Sequence, residues 1–118
     1  MSMKNIEGHI KGLKGSIGSY PFGPDVLVFK VMNKMFALIS KKNEKDIVTL
    51  KASPANVEFL TCKYDSITPG YHMNKDHWIT IYLSGDISEQ EVLKLADDSY
   101  DLIVSKLTKV QKAELAAL

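Results

Sequence analysis

Few side chains in this sequence are placed to do chemistry. His72 and His77 flank Met73-Asn74-Lys75-Asp76, and the two imidazoles with Asp76 would offer nitrogen and oxygen donors to zinc. The spacing matches no recognised metal motif, however, and closing a site would need a distant fourth ligand. Cys62 is the only cysteine, which excludes an intrachain disulfide and a multi-cysteine zinc cage. The residue falls in a segment read as helix, among core positions, where a lone thiol is structural rather than nucleophilic. Asp97, Asp98 and Asp101 resemble a carboxylate cluster, but on an amphipathic helix with no further oxygen or nitrogen ligands they read as a solvated face. The sequence has no phosphate-cradling glycine loop followed by Lys-Ser or Lys-Thr, no dinucleotide fingerprint and no nucleophile elbow. The expectation is a non-enzymatic protein without metal or cofactor.

Lysine carries the stronger signal. All fifteen basic residues are lysines. Residues 1–51 hold nine of them against four carboxylates, a net +5, and residues 52–118 hold six against ten, a net −4. This asymmetry suggests a basic face able to attract a polyanion. Without arginine, the planar fork that reads guanine in the major groove is missing, so phosphate contact is favoured over base readout. A sequence pI of about 7.8 also falls short of the strongly basic range of nucleic-acid-binding domains.

The elements that must position these residues follow from pattern. A chain of 118 residues with 45% hydrophobic and 25% charged content is one globular domain, 1–118, rather than a disordered tail or a rod. Its apolar runs, such as Val26 to Phe29 and Met35 to Ile39, fall far short of the roughly 20 residues a membrane span requires. The first 20 residues lack a signal-peptide core, which leads to the expectation of a cytoplasmic protein. Ile6, Ile10 and Leu13 repeat at helical spacing. Gly15 to Asp25, with Pro21 and Pro24, reads as loop. Val26–Met32, Met35–Ser40 and Asp46–Lys51 read as a three-stranded antiparallel meander, with a turn at Asn33-Lys34 and a loop over residues 41–45. Ser53-Pro54 starts a helix running to about Asp65. Trp78–Leu83 reads as a later strand. Ser88 and Glu91 form a capping box, with Ile87 and Val92 as a staple, ahead of a helix whose stripe is Leu93, Ala96, Tyr100, Ile103 and Leu107. Lys109 to Leu118 would extend that helix or fray, with Leu115 and Leu118 free to dock on a partner. The fold class is α+β, a two-layer arrangement with an antiparallel sheet and helices packed mainly on one face.

The spacing predicts a register for the meander. A two-residue turn at Asn33-Lys34 sets Lys30 opposite Ala37 and Val28 opposite Ile39, and a five-residue loop sets Ile47 opposite Ile39 and Thr49 opposite Ala37. One face then collects Leu27, Phe29, Val31, Phe36, Leu38, Val48 and Leu50 as the core. The other mixes Val28, Ile39, Ile47, Met32 and Met35 with Lys30, Thr49 and Lys51, a combination that suits neither a core nor a plain solvated face and invites a partner. Trp78 and Tyr82 stand on that same side, where rings beside lysines would stack on bases.

Three separated motifs carry a family resemblance. Tyr20-Pro21-Phe22-Gly23-Pro24-Asp25 leads into Val26-Leu27-Val28-Phe29-Lys30-Val31 and then Lys34-Met35-Phe36-Ala37-Leu38. Pro69-Gly70-Tyr71-His72-Met73-Asn74-Lys75 is followed by His77-Trp78, and Ser99-Tyr100-Asp101-Leu102 lies near the end. In this order they resemble the MmcQ/YjbR family, across nearly the whole chain. The resemblance implies an α+β fold like that of the bacterial secretion chaperones, and a bacterial DNA-binding group of unknown cellular role whose sheet is likened to a double-wing domain. The motif positions it carries over are Tyr20, Pro21, Phe22, Gly23 and Asp25 in the first loop, Gly70, His72, Asn74 and Lys75 in the second, and Trp78 at the strand entry. Asp76 stands where the resemblance leads one to expect a basic residue, which dilutes the positive surface.

Two functions are consistent with these observations. The first is nonspecific or shape-reading DNA binding by a monomer or weak homodimer, with Lys30, Lys34, Lys41, Lys42, Lys51, Lys75, Trp78 and Tyr82 as contacts. The alternative is a protein-interaction or small-ligand-binding module that uses the same mixed apolar face. One continuous lysine stripe would favour the first, and a dry apolar groove the second.

Overall fold

Two tight turns decide which way the central strands face. Met32 and Asn33 both take positive φ, 48° and 65°, as do Asn43 and Glu44, 51° and 65°. Both hairpins therefore close through two-residue turns, the kind whose twist matches that of paired strands. The computed structural model describes residues 3–70 and 73–118. Its elements are α1 (Met3–Lys11), β1 (Ser16–Ser19), β2 (Leu27–Val31), β3 (Lys34–Lys42), β4 (Lys45–Lys51), α2 (Pro54–Lys63), β5 (Ile67–Pro69), β6 (Trp78–Tyr82), α3 (Glu89–Ser105) and α4 (Lys109–Ala116). The strands form one antiparallel sheet in the order β1-β2-β3-β4-β6-β5.

The register differs from the one the spacing predicts. Val31 pairs with Lys34, so the first turn is Met32-Asn33, one residue earlier than expected. Phe29 pairs with Ala37 and Lys30 with Met35, which leaves Phe36 as an extra residue in β3. Such a bulge lets two successive residues lean to one side, and Phe36 and Ala37 both enter the core. Beyond it the alternation of β3 is reversed relative to expectation. Ile39 joins the core, while Leu38 sits on the other face beside Val28. Lys42 pairs with Lys45, so a two-residue turn replaces the expected five-residue loop, and Val48 rather than Ile47 stands opposite Ile39.

The helices lie on one face of the sheet. Ile6 and Ile10 of α1, Val57 and Leu60 of α2, Val92, Leu95, Ala96 and Ile103 of α3 and Leu115 of α4 share one core with Phe29, Val31, Phe36, Ala37, Ile39, Val48, Leu50, Ile79 and Ile81. Burying each large aliphatic or aromatic side chain there contributes about 1.5–3 kcal/mol. Ser53 caps α2 by accepting from the Asn56 N–H, and Ser88 caps α3 by accepting from the Glu91 N–H. The buried stripe of α3 is turned from the expected one, with Leu93 and Tyr100 at its margin and Val92, Leu95 and Ser99 at its centre.

Other expectations need correction. The segment at Ser16 read as loop is an edge strand, and Ile67–Pro69 is a second strand not expected. Cys62 is exposed. The tail is a separate helix, α4, opened by a reciprocal cap between Thr108 and Gln111, and Leu115 is used in the chain's own core. Asp97 meets His9 at 2.6 Å and Asp98 meets Lys94 at 3.3 Å, so these carboxylates go to separate partners. Among the described residues no helix is long and apolar enough to cross a membrane.

Candidate functional site

The helix-free face carries the positions of interest. Strand pairing sets a row across it from Val28 through Leu38 and Thr49 to Thr80 and Thr68. The Thr49 and Thr80 hydroxyls are 3.4 Å apart. This middle row is not left open to solvent, as the sequence had suggested: Val28, Leu38, Ile47, Thr49, Trp78 and Thr80 are all buried. Part of the cover comes from the chain's own connections, because Val26, which precedes β2, and Met73, which precedes β6, pack against Val28, Leu38 and Trp78.

Close approach fixes the second connection. The Gly70 N–H donates to the Trp78 carbonyl at 2.8 Å, and a Cβ on Gly70 would meet the Trp78 Cβ at 2.6 Å and the Met73 Cβ at 3.2 Å. No larger residue fits without moving the backbone. Asn74 shapes the following turn, its side-chain oxygen accepting from the Asp76 N–H at 2.9 Å and its carbonyl from the His77 N–H at 3.2 Å. His72 lies outside the described residues.

Between the two connections is a cavity of about 460 Å³, within the range of small-molecule sites. Phe22, Val26, Leu38 and Met73 supply apolar walls, Ser40 and Thr49 supply hydroxyls, and Asp25 and Lys41 supply charge. Phe22 and Asp25 belong to the first loop motif, and Met73 sits within the second. Two motifs far apart in sequence thus meet at one recess. Tyr20 and Pro24 line a neighbouring hollow on the helix side with Met3 and Glu7, while Pro21 is exposed and Gly23 holds a φ of 107°.

The expected lysine contacts do not form one stripe. Lys34 starts β3 and Lys51 ends β4, so they share one end of the sheet with Lys30 and Trp78. The Lys51 amine lies 5.8 Å from the centre of the Trp78 ring. Burial first, then the charges of Lys106 and Lys34, holds its pKa below the ordinary lysine value. Lys106, the C-cap of α3, was not among the expected contacts; its position at the end of a helix gave no hint that it would stand near a strand terminus. Lys41 and Lys42 sit at the opposite end, where Lys41 meets Asp46 at 3.9 Å. Lys75 and Tyr82 join Lys42 around a further hollow. Sequence reasoning also missed Val26, Leu38, Ser40, Thr49 and Met73 as cavity walls. Leu38 was hidden by the bulge. Val26 and Met73 lie within or beside the two loop motifs and Thr49 on the predicted mixed face, but nothing local in the sequence brings them together with Ser40. Among the described residues no three His, Cys, Asp or Glu side chains gather as a metal site.

An open antiparallel sheet with helices on one side and a recess on the other defines a small α+β protein whose candidate site lies on the helix-free face. The YjbR family model matches residues 11–102. The chain is 42% identical over 90 residues to the uncharacterized protein YbdF of Escherichia coli O157:H7, covering 76% of this chain and 74% of that protein. It is 33% identical over 89 residues to the uncharacterized protein YjbR of Escherichia coli strain K12, covering 75% of each. The crystal structure of Deinococcus radiodurans protein DR2400 matches with a TM-score of 0.88 at 33% identity, covering 98% of this chain and 88% of that one. A Pseudomonas syringae protein matches with a TM-score of 0.75 at 29% identity, covering 86% and 98% respectively. The chain belongs to the YjbR family.

Proposed function

We propose that this chain is a non-enzymatic binding module that takes a small, largely apolar ligand in the recess on its helix-free face. The observation that carries this reading is the convergence of Phe22 and Asp25 from one loop motif with Met73 from the other on a single cavity of about 460 Å³. Four apolar side chains would hold the body of a ligand, and the Ser40 and Thr49 hydroxyls would orient it. The test is titration with 2-naphthol, a flat neutral probe, followed by methyl and backbone NMR shifts. The expected shifts concentrate on Val26, Leu38, Thr49 and Met73, and Phe22→Ala weakens binding. Shifts scattered over the surface, or none at millimolar probe, would overturn the reading.

A second reading, DNA binding, has an observation of its own. Lys51 stands 5.8 Å from the centre of the Trp78 ring, and after burial it is the charges of Lys106 and Lys34 that lower its pKa. A phosphate placed there would relieve the mutual repulsion, and binding would weaken steeply as salt rises. The separation of Lys41 and Lys42 from this group weighs against a duplex lying along the whole face, so this reading stands second.

A further inference from the structure

The recess has a charged neighbour that narrows the class of ligand. On the same face, a second cavity of about 450 Å³ is lined by Lys42, Thr68, Gly70, Met73, Lys75 and Tyr82. Met73 lines both cavities, so the apolar recess and the lysine-bearing one adjoin across a single unbranched side chain. Lys42 comes from the end of β3 and Lys75 from the segment between β5 and β6. Two ammonium groups carried by separate elements thus line one hollow, with a phenol hydroxyl to share.

The charges are unequally divided. The apolar recess is lined by one lysine, Lys41, and one carboxylate, Asp25. The described lining of the second cavity holds two lysines and no carboxylate. A ligand long enough to pass Met73 would meet apolar walls at one end and positive charge at the other.

We infer that the ligand is an amphipathic anion, with an apolar body against Phe22, Val26 and Leu38 and a carboxylate or phosphate directed at Lys42, Lys75 and Tyr82. This inference rests on the ligand-binding reading above and goes beyond it in assigning the head group. Lysine suits either anion, because its ammonium acts as a point charge rather than a planar fork. Methionine suits the boundary, since its unbranched side chain adapts to a ligand lying across it.

The experiment compares three probes of the same apolar body on the intact chain: 2-naphthol, 2-naphthoate and 2-naphthyl phosphate, each titrated by NMR at low salt. At least one anion is expected to bind about fivefold to tenfold more tightly than the neutral probe, the scale of two partly exposed charge contacts. Which anion gains more distinguishes a carboxylate ligand from a phosphate one. The double variant Lys42→Glu with Lys75→Glu is expected to lose that gain while retaining 2-naphthol, and Lys42→Arg with Lys75→Arg to keep it. Equal affinity for all three probes, or an undiminished anion preference in the double Glu variant, overturns the head-group assignment and leaves the apolar site standing. Failure of all three probes to bind overturns the pocket reading together with this one.

Discussion

Ser99 is a polar residue on the buried side of α3, and the bulge in β3 explains it. Its hydroxyl donates to the Phe36 carbonyl at 2.6 Å and accepts from the Lys51 N–H at 2.9 Å. Phe36 is the residue left out of the β2–β3 pairing, so its carbonyl needs a partner from outside the sheet. Ser99→Ala removes that partner and orphans the Lys51 N–H as well. The expected loss is about 1–3 kcal/mol, read as a lower urea midpoint with an unchanged slope, and a loss below about 0.5 kcal/mol would mean water replaces the hydroxyl. Ser99 stands in the Ser99-Tyr100-Asp101-Leu102 motif, so its importance was readable, but its partners were not. A bulge has no period of its own, and alternation alone places Leu38 on the wrong face and Phe36 on the right one. Cys62 shows the same limit. Its helix was readable from Ser53-Pro54, but which side of a ten-residue helix faces out depends on the sheet it meets.

At the scale of elements, the chain is held by connections as much as by strands. The Asp86 carboxylate, just before α3, accepts from the Asp65 N–H at 3.0 Å, the Ser66 N–H at 3.0 Å and the Ser66 hydroxyl at 2.6 Å. It thereby ties the end of α2 to the turn after β6. The Ser66 hydroxyl, followed by the Asp65 and Ser66 N–H groups, lowers the Asp86 pKa from 3.8 to about 2. A carboxylate with a depressed folded pKa contributes stability that is complete above its unfolded value and is lost as pH falls through the folded one. The contribution of Asp86 therefore stands at pH 5 and disappears between about pH 4 and pH 2. Asp86→Asn is expected to unfold more readily at neutral pH and to lose less on acidification than the parent, as followed by thermal melts across that range. Parallel pH profiles for the two proteins would rule out the clamp. Gly85 beside it has no room for a side chain, since a Cβ would meet the Ser66 Cβ at 2.0 Å. Gly85→Ala is expected to lower the melting temperature by several degrees, the scale of a 1–2 kcal/mol loss in a domain of roughly this size. The helix caps and the Trp78 strand were open to sequence reading because their signals are local. The edge strands were not, since Ser16–Ser19 and Ile67–Pro69 become strands only through their neighbours.

The whole molecule divides its positive charge, and this division yields the sharpest test of the nucleic-acid reading. Lys34 and Lys42 begin and end β3, so at roughly 3.3 Å per residue they stand about 25 Å apart. Between them, the middle of the face is Val28, Leu38, Thr49 and Thr80, all buried. The +5 of the first half of the sequence is real, but antiparallel pairing sends its lysines to both ends of the sheet, a consequence of register that composition does not contain. If DNA is bound by the Lys30, Lys34, Lys51 and Lys106 end alone, at most four phosphates are neutralised. The logarithm of affinity should then fall with the logarithm of salt at a slope no steeper than about −3.6 for a duplex. Lys34→Glu with Lys106→Glu should remove at least about half of that slope, and Lys41→Glu with Lys42→Glu should leave it unchanged. A slope near −6 would instead mean that both ends engage one duplex across the buried middle. No detectable complex at about 50 mM salt would remove DNA binding and leave the recess as the site that the two loop motifs build.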